Sequence, residues 1–265
     1  MEIISLLWGT VVLRPYVFVF LAVYLTIAIL NMGLARSLIF TVLAYSIAFL
    51  SEYSSTRNGF PYGFYSYIDT TRDQELWITN VPFMDSLSYS FLSYISYTFS
   101  LLLWSSIKTN GWDVRLEETQ PAKPSIRVIL TGAFLFMMMD VIIDPVAFQG
   151  DRWFLGKIYT YQEEGEYFNI PLTNFAGWLL VGTAIIGSFS LVNRWLDGKL
   201  PPPPKKEVPY QALLGPGLYF GVLIFNLAVT FYIGEFLMGF CGIGIFLAIL
   251  SLLVYKIRNP RWLTG

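Results

Sequence analysis

What most constrains this chain is a series of seven mainly apolar stretches, each close to the length of a membrane crossing. They cover residues 15–32, 37–53, 82–107, 126–148, 172–192, 210–233 and 236–255. A spanning helix needs about 20 mainly apolar residues, and hydrocarbon offers no partner to backbone groups that a segment leaves unpaired. The chain is therefore expected to be all-α, a polytopic membrane helix bundle of about seven transmembrane helices forming a single integral-membrane domain over residues 1–265. The second stretch is short, and the third is studded with Ser and Tyr, so a six-helix count is the main alternative. Composition agrees with a membrane solvent: 13% of the residues are charged and 55% hydrophobic, whereas a soluble domain has about a quarter charged. The first dozen residues are apolar but carry Glu2 and no basic cluster. They read as a helix start or interfacial segment rather than a cleaved signal peptide.

Lys and Arg set the expected orientation, because cytoplasmic loops retain them. With seven helices, Arg36, Lys108, Arg115, Lys123, Arg127, Arg194, Lys199, Lys205, Lys206, Lys256, Arg258 and Arg261 fall on one side. Arg14, Arg57, Arg72, Arg152 and Lys157 fall on the other. This bias predicts a multi-pass protein of the cell (inner) membrane with its N-terminus outside and its C-terminus cytoplasmic. Outer loops are then expected at 54–80 and 149–171, and cytoplasmic loops at 108–126 and 193–209. The four prolines at 201–204, followed by Lys205 and Lys206, read as a stiff cytoplasmic linker. No internal repeat is visible, which does not favour an inverted-repeat transporter.

Histidine is absent and Cys241 is the only cysteine. That excludes disulfides within the chain, thiolate zinc sites, iron–sulfur clusters, histidine-ligated haem and any triad built on an imidazole base. No metal and no cofactor is expected, and proton chemistry falls to carboxylates, Tyr, Lys or water. A formal net charge of −1 argues against a nucleic-acid partner, which usually demands a basic face.

The acids are distributed opposite to the bases. Glu52 is placed at the end of the second stretch, Asp85 at the start of the third, Asp144 at the end of the fourth and Glu235 between the last two, all toward the outer side. Asp140 follows Arg127 by 13 residues. At about 1.5 Å per residue it lies roughly 20 Å into a 30 Å core, on the same helix face as Asp144. Intramembrane carboxylates are costly and normally face a bundle interior or a wet cavity. Taken singly, Asp144 before Pro145 suits a helix end, Glu52 an interface, and Asp85 a first turn where the helix dipole favours an acid. Asp140, in a run with Met137, Met138 and Met139, is harder to explain structurally than the other three, and an acid in that position is suited to deliver a proton.

Both outer loops are unusually aromatic. Tyr62, Phe64, Tyr65 and Tyr67 crowd the first; Trp153, Phe154, Tyr159, Tyr161, Tyr167 and Phe168 crowd the second. A lid lying back on the bundle is expected beside the ordinary aromatic belt. Ser86, Ser90, Ser93, Tyr97 and Ser100 recur at spacings of four and three, a face that usually means close helix packing.

Three segments carry a resemblance: GFPYGFYSY at 59–67, DVIIDPVA at 140–147 and YFNIPLTNFAGW at 167–178. They resemble the membrane carotenoid biosynthesis family, which includes carotenoid hydratases of the bisanhydrobacterioruberin hydratase and γ-carotene hydratase type. Tyr62 stands where that family more usually has Phe, and Asp85 with the serine stripe interrupts what is there a smoother helix. The resemblance implies a cofactor-independent hydratase that adds water to a terminal isoprenoid double bond of a lipophilic carotenoid or other isoprenoid. It implies Asp140 as the acid, and Asp144 or Glu52 as the base that orients water, with Asp85 in the same group. Tyr62, Phe64, Tyr65, Tyr67, Trp153, Asn174 and Trp178 would line the substrate site, where aromatic faces attract a carbocation.

Two other readings compete. A prenyltransferase of the lycopene elongase kind needs magnesium on aspartate-rich motifs, and Asp140 with Asp144 supplies one such spacing but no second. A lipid-binding protein or proton-coupled transporter also buries carboxylates.

Overall fold

In the computed structural model, which describes residues 2–110, 113–117, 125–201 and 208–263, the expected helices form one bundle. A short helix α1 (Glu2–Leu13) precedes α2 (Pro15–Asn58), α3 (Phe83–Trp104), α4 (Ile126–Phe148), α5 (Leu172–Leu196), α6 (Gln211–Tyr232) and α7 (Phe236–Arg258). Three two-stranded ribbons join them: β1 (Tyr65–Tyr67) with β6 (Tyr159–Tyr161), β2 (Trp77–Ile78) with β3 (Val81–Pro82), and β4 (Ile107–Asn110) with β5 (Asp113–Leu116).

The first two apolar stretches are the two legs of α2, which bends at Gly33 with φ 81° and ψ 163°. Tyr24 and Thr41 share a hydrogen bond of 2.8 Å, although 17 residues of straight helix would separate them by about 25 Å. The second leg therefore folds back along the first. That backbone region is essentially restricted to glycine and costs about 1–3 kcal/mol for other residues. Gly33→Ala is expected to lower stability by that amount, read as the unfolding transition in detergent. Unchanged stability would mean that the bend is set elsewhere.

α2, α4, α5, α6 and α7 are long and apolar enough to cross a membrane. With α2 counted as two legs and the 22-residue α3 added, the bundle has seven long helical segments, the number that the sequence reading expected. α3 is the most polar of them because it meets protein rather than lipid: nearly all of it from Met84 to Leu103 is buried. Its serines bond to carbonyls one turn back, Ser93 to Tyr89 at 2.6 Å and Ser96 to Leu92 at 2.8 Å. Ser100 reaches across to the Val128 carbonyl of α4 at 2.9 Å. A Cβ on Gly132 would stand 3.2 Å from the Ser100 hydroxyl and 2.8 Å from Ile186 Cδ1, so small residues let α3, α4 and α5 approach closely.

Two boundaries differ from the sequence reading. Glu52 does not end its helix, which continues to Asn58 and closes on Gly59 in the left-handed conformation. The third helix stops at Trp104, because Ile107–Asn110 pairs with Asp113–Leu116.

Candidate active site

The site is built where the loop between α2 and α3 meets the loop between α4 and α5. β1 pairs antiparallel with β6, placing Tyr65 opposite Tyr161 and Tyr67 opposite Tyr159. Alternate residues of a strand share a face, so the tripeptides YSY and YTY set four tyrosines over the ends of the helices. The first loop also seats directly on α5. A Cβ on Gly177 would fall 2.5 Å from Tyr62 Cδ1 and 2.8 Å from the Pro61 carbonyl oxygen. Only a residue without a side chain allows that approach.

Beneath this roof the four carboxylates fall into two pairs. In one, Tyr67 donates to Asp85 Oδ2 at 2.5 Å and Ser86 donates to Glu52. In the other, the Asn174 amide donates to Asp140 at 2.7 Å and to Asp144 at 3.0 Å, bridging them. Tyr161 donates to Asp144 Oδ2 at 2.9 Å and Tyr159 to Oδ1. Glu52, Asp140 and Asp144 are buried and Asp85 half-buried. The pairs face one another: Tyr62 lies within electrostatic reach of both Glu52 and Asp140. Tyr65 packs against Tyr67, Tyr159 and Tyr161 at 5.3, 6.1 and 6.0 Å. Burial, and then the neighbouring acids, push the phenols of Tyr67, Tyr159 and Tyr161 well above the ordinary tyrosine range. They stay protonated as donors to the carboxylates.

An aromatic wall adjoins the acids. One turn beyond Asn174, Trp178 stacks on Tyr89 at 4.5 Å with 16° between planes. Phe136 approaches Trp178 to 4.6 Å and Tyr62 to 6.4 Å. Such a wall, next to proton donors and acceptors, suits a carbocation formed by protonating an alkene.

Of the residues expected to line the site, Tyr62, Tyr65, Tyr67, Asn174 and Trp178 gather with the four acids. Two do not. Phe64 is 46% exposed, with its ring over Gly59. Trp153 donates to the Val146 carbonyl at 3.0 Å and packs on Phe154 and Phe225. Each points away because the chain alternates or turns there: Phe64 precedes the strand whose inward residue is Tyr65, and Trp153 follows the helical turn Gly150–Arg152. Tyr159 and Tyr161, expected only as lid aromatics, Ser86, expected only in a packing face, and Tyr89 and Phe136, not named at all, are site neighbours missing from the expected site. For the first two the signal was present, in the period-two repetition of tyrosine in both loops.

A buried ion pair fixes the roof. Arg14 holds Glu75 with both oxygens, at 2.9 and 3.2 Å, and donates to the Leu155 carbonyl; Thr71 donates to Glu75 at 2.5 Å. Among the described residues, no three of Asp, Glu, Cys and His gather as metal ligands.

No curated protein and no solved structure matches the chain. A family model described as carotenoid biosynthesis protein matches residues 9–250, which take in both legs of α2, the acids, the roof and most of α7. This membrane-spanning chain therefore belongs to the carotenoid biosynthesis protein family and serves in the making of carotenoids.

Proposed function

We propose that the protein is a carotenoid hydratase that adds water to a terminal isoprenoid double bond without a cofactor. The observation that carries this reading is the Asn174 bridge between two buried carboxyls beside the Trp178–Tyr89–Phe136 wall. Asp144 accepts three donors, whereas Asp140 accepts Asn174 on one oxygen, which leaves Asp140 an oxygen to carry a transferable proton. Asp140 gives that proton to the less substituted alkene carbon, and the π electrons form the new C–H bond. The tertiary cation lies against the aromatic faces. Water forms the C–O bond and loses its proton to Glu52. Over a cycle, the proton lost at Asp140 and that gained at Glu52 cancel. The Tyr65 and Tyr67 hydroxyls, 3.4 Å apart, lie on the path between the pairs.

In this reading the acids stand toward the outer membrane face, with the C-terminus cytoplasmic, because the basic residues concentrate at the opposite end. Expression in cells that make an acyclic carotene, with a topology reporter fused after Gly265, tests both statements. The pigment is expected to gain one water and the reporter to be active in the cytoplasm. A gain of an isoprenyl unit would instead identify a prenyltransferase, and a reporter active only outside would invert the topology.

A further inference from the structure

Among the described residues, two enclosed side-chain polar atoms bond to nothing: the Tyr45 hydroxyl and the Trp77 indole nitrogen. Buried donors are costly when unpaired, so each calls for a ligand. Both adjoin the same half of the site. Tyr45 precedes Glu52 by two helical turns on the second leg of α2, and its ring lies 5.3 Å from Phe83. Phe83 is one turn before Ser86, the donor to Glu52. Trp77 pairs with Pro82 in the β2–β3 ribbon. Its ring stands edge-on 6.0 Å from Tyr67, whose hydroxyl bonds Asp85. The two donors thus flank the start of α3. The Asp140–Asp144 half, by contrast, is already joined by Asn174, Tyr159 and Tyr161.

We propose that Tyr45 and Trp77 form the oxygen-binding end of the site, holding the water that is added and then the tertiary hydroxyl of the product. This rests on the hydratase reading and deepens it. An indole N–H only donates, so the ligand must present a lone pair to Trp77; a phenol hydroxyl both donates and accepts. Water satisfies both, with a proton left to point at the Glu52 carboxylate. Asp140 and Asp144 then govern protonation of the alkene, while Tyr45, Trp77 and Glu52 govern capture of the cation. A cation that is not captured returns its proton and regenerates an alkene, so a loss of water positioning changes how the cation partitions and does not stop its formation.

The test uses purified full-length protein in detergent with an acyclic carotene bearing unmodified terminal isoprenoid ends, incubated in deuterium oxide. Alcohol formation and deuterium in the recovered carotene are both measured by mass spectrometry. Tyr45→Phe and Trp77→Phe are each expected to lower alcohol formation about tenfold or more, while deuterium uptake into recovered carotene persists or rises. Asp140→Asn should lose both. Wild-type alcohol formation in both variants would overturn the proposal. So would a parallel loss of alcohol and deuterium uptake in monodisperse protein, the signature of a merely structural role. Wild-type protein that shows neither signal would overturn the hydratase reading itself, and the oxygen site with it.

Discussion

Asp140→Asn is expected to leave a folded, membrane-inserted protein whose hydration activity has fallen by about two orders of magnitude or more, the usual scale for a general acid. The substitution keeps the size of the side chain and an oxygen for the Asn174 amide, now 2.7 Å away. It removes only the transferable proton. Asp144→Asn is expected to be comparably damaging for another reason. Tyr159, Tyr161 and Asn174 all donate to Asp144. An amide offers one oxygen and an NH₂ group that cannot accept, so one phenol loses its partner and the roof loses its grip on α4. The check is product formed per mole of monodisperse protein, compared with wild type. Near-normal turnover by the Asp140 variant, with Glu52→Gln inactive, would reverse the roles of acid and base. Full activity in all of Glu52→Gln, Asp85→Asn, Asp140→Asn and Asp144→Asn would remove the carboxylate mechanism.

The acids and their helices were legible in the sequence because burial in a membrane imposes strong rules. An acid 13 residues into an apolar stretch has few explanations, and the spacing of Asp140 and Asp144 fixes their common face. The bend at Gly33 was legible only as a gap between two apolar stretches. Single-sequence reasoning cannot distinguish a short loop from one glycine that turns the chain while both flanks stay helical. α3 shows a different limit. Hydropathy reads each residue as if it met lipid, yet the serines of α3 meet backbone carbonyls inside the bundle, so the most enclosed helix was the least apolar. The partners of the acids were hidden for a further reason. Tyr159 and Tyr161 reach Asp144 because β6 pairs with β1 across more than ninety residues, a contact that no local pattern specifies. Trp153, close in sequence to the acids, was carried elsewhere by a single helical turn.

Arg14 and Glu75 show how long-range pairing hid a feature with a large expected effect. Arg14 entered the sequence reading only as one basic residue of the outer side, whereas the fold buries it against Glu75, with side chains 4% and 0% exposed. Removing one partner of a buried ion pair strands the other charge, at a cost of about 3–5 kcal/mol, whereas replacing both with apolar groups is often nearly neutral. Arg14→Leu and Glu75→Leu are each expected to destabilise the protein by that amount, and the double replacement by much less than their sum. The consequence extends to the site. Glu75 anchors the segment between β1 and β2, and the chain runs from there through β3 directly into the first turn of α3, where Asp85 meets Tyr67. Arg14 also donates to the Leu155 carbonyl, four residues before Tyr159. Losing the pair loosens both of these loops at once, so activity is expected to fall at temperatures where the helices remain folded. Parallel melts in detergent, one following helical circular dichroism and one following hydration activity, separate the two effects. If Arg14→Leu matched wild type in both melts, the pair would have no part in holding the roof over the acids.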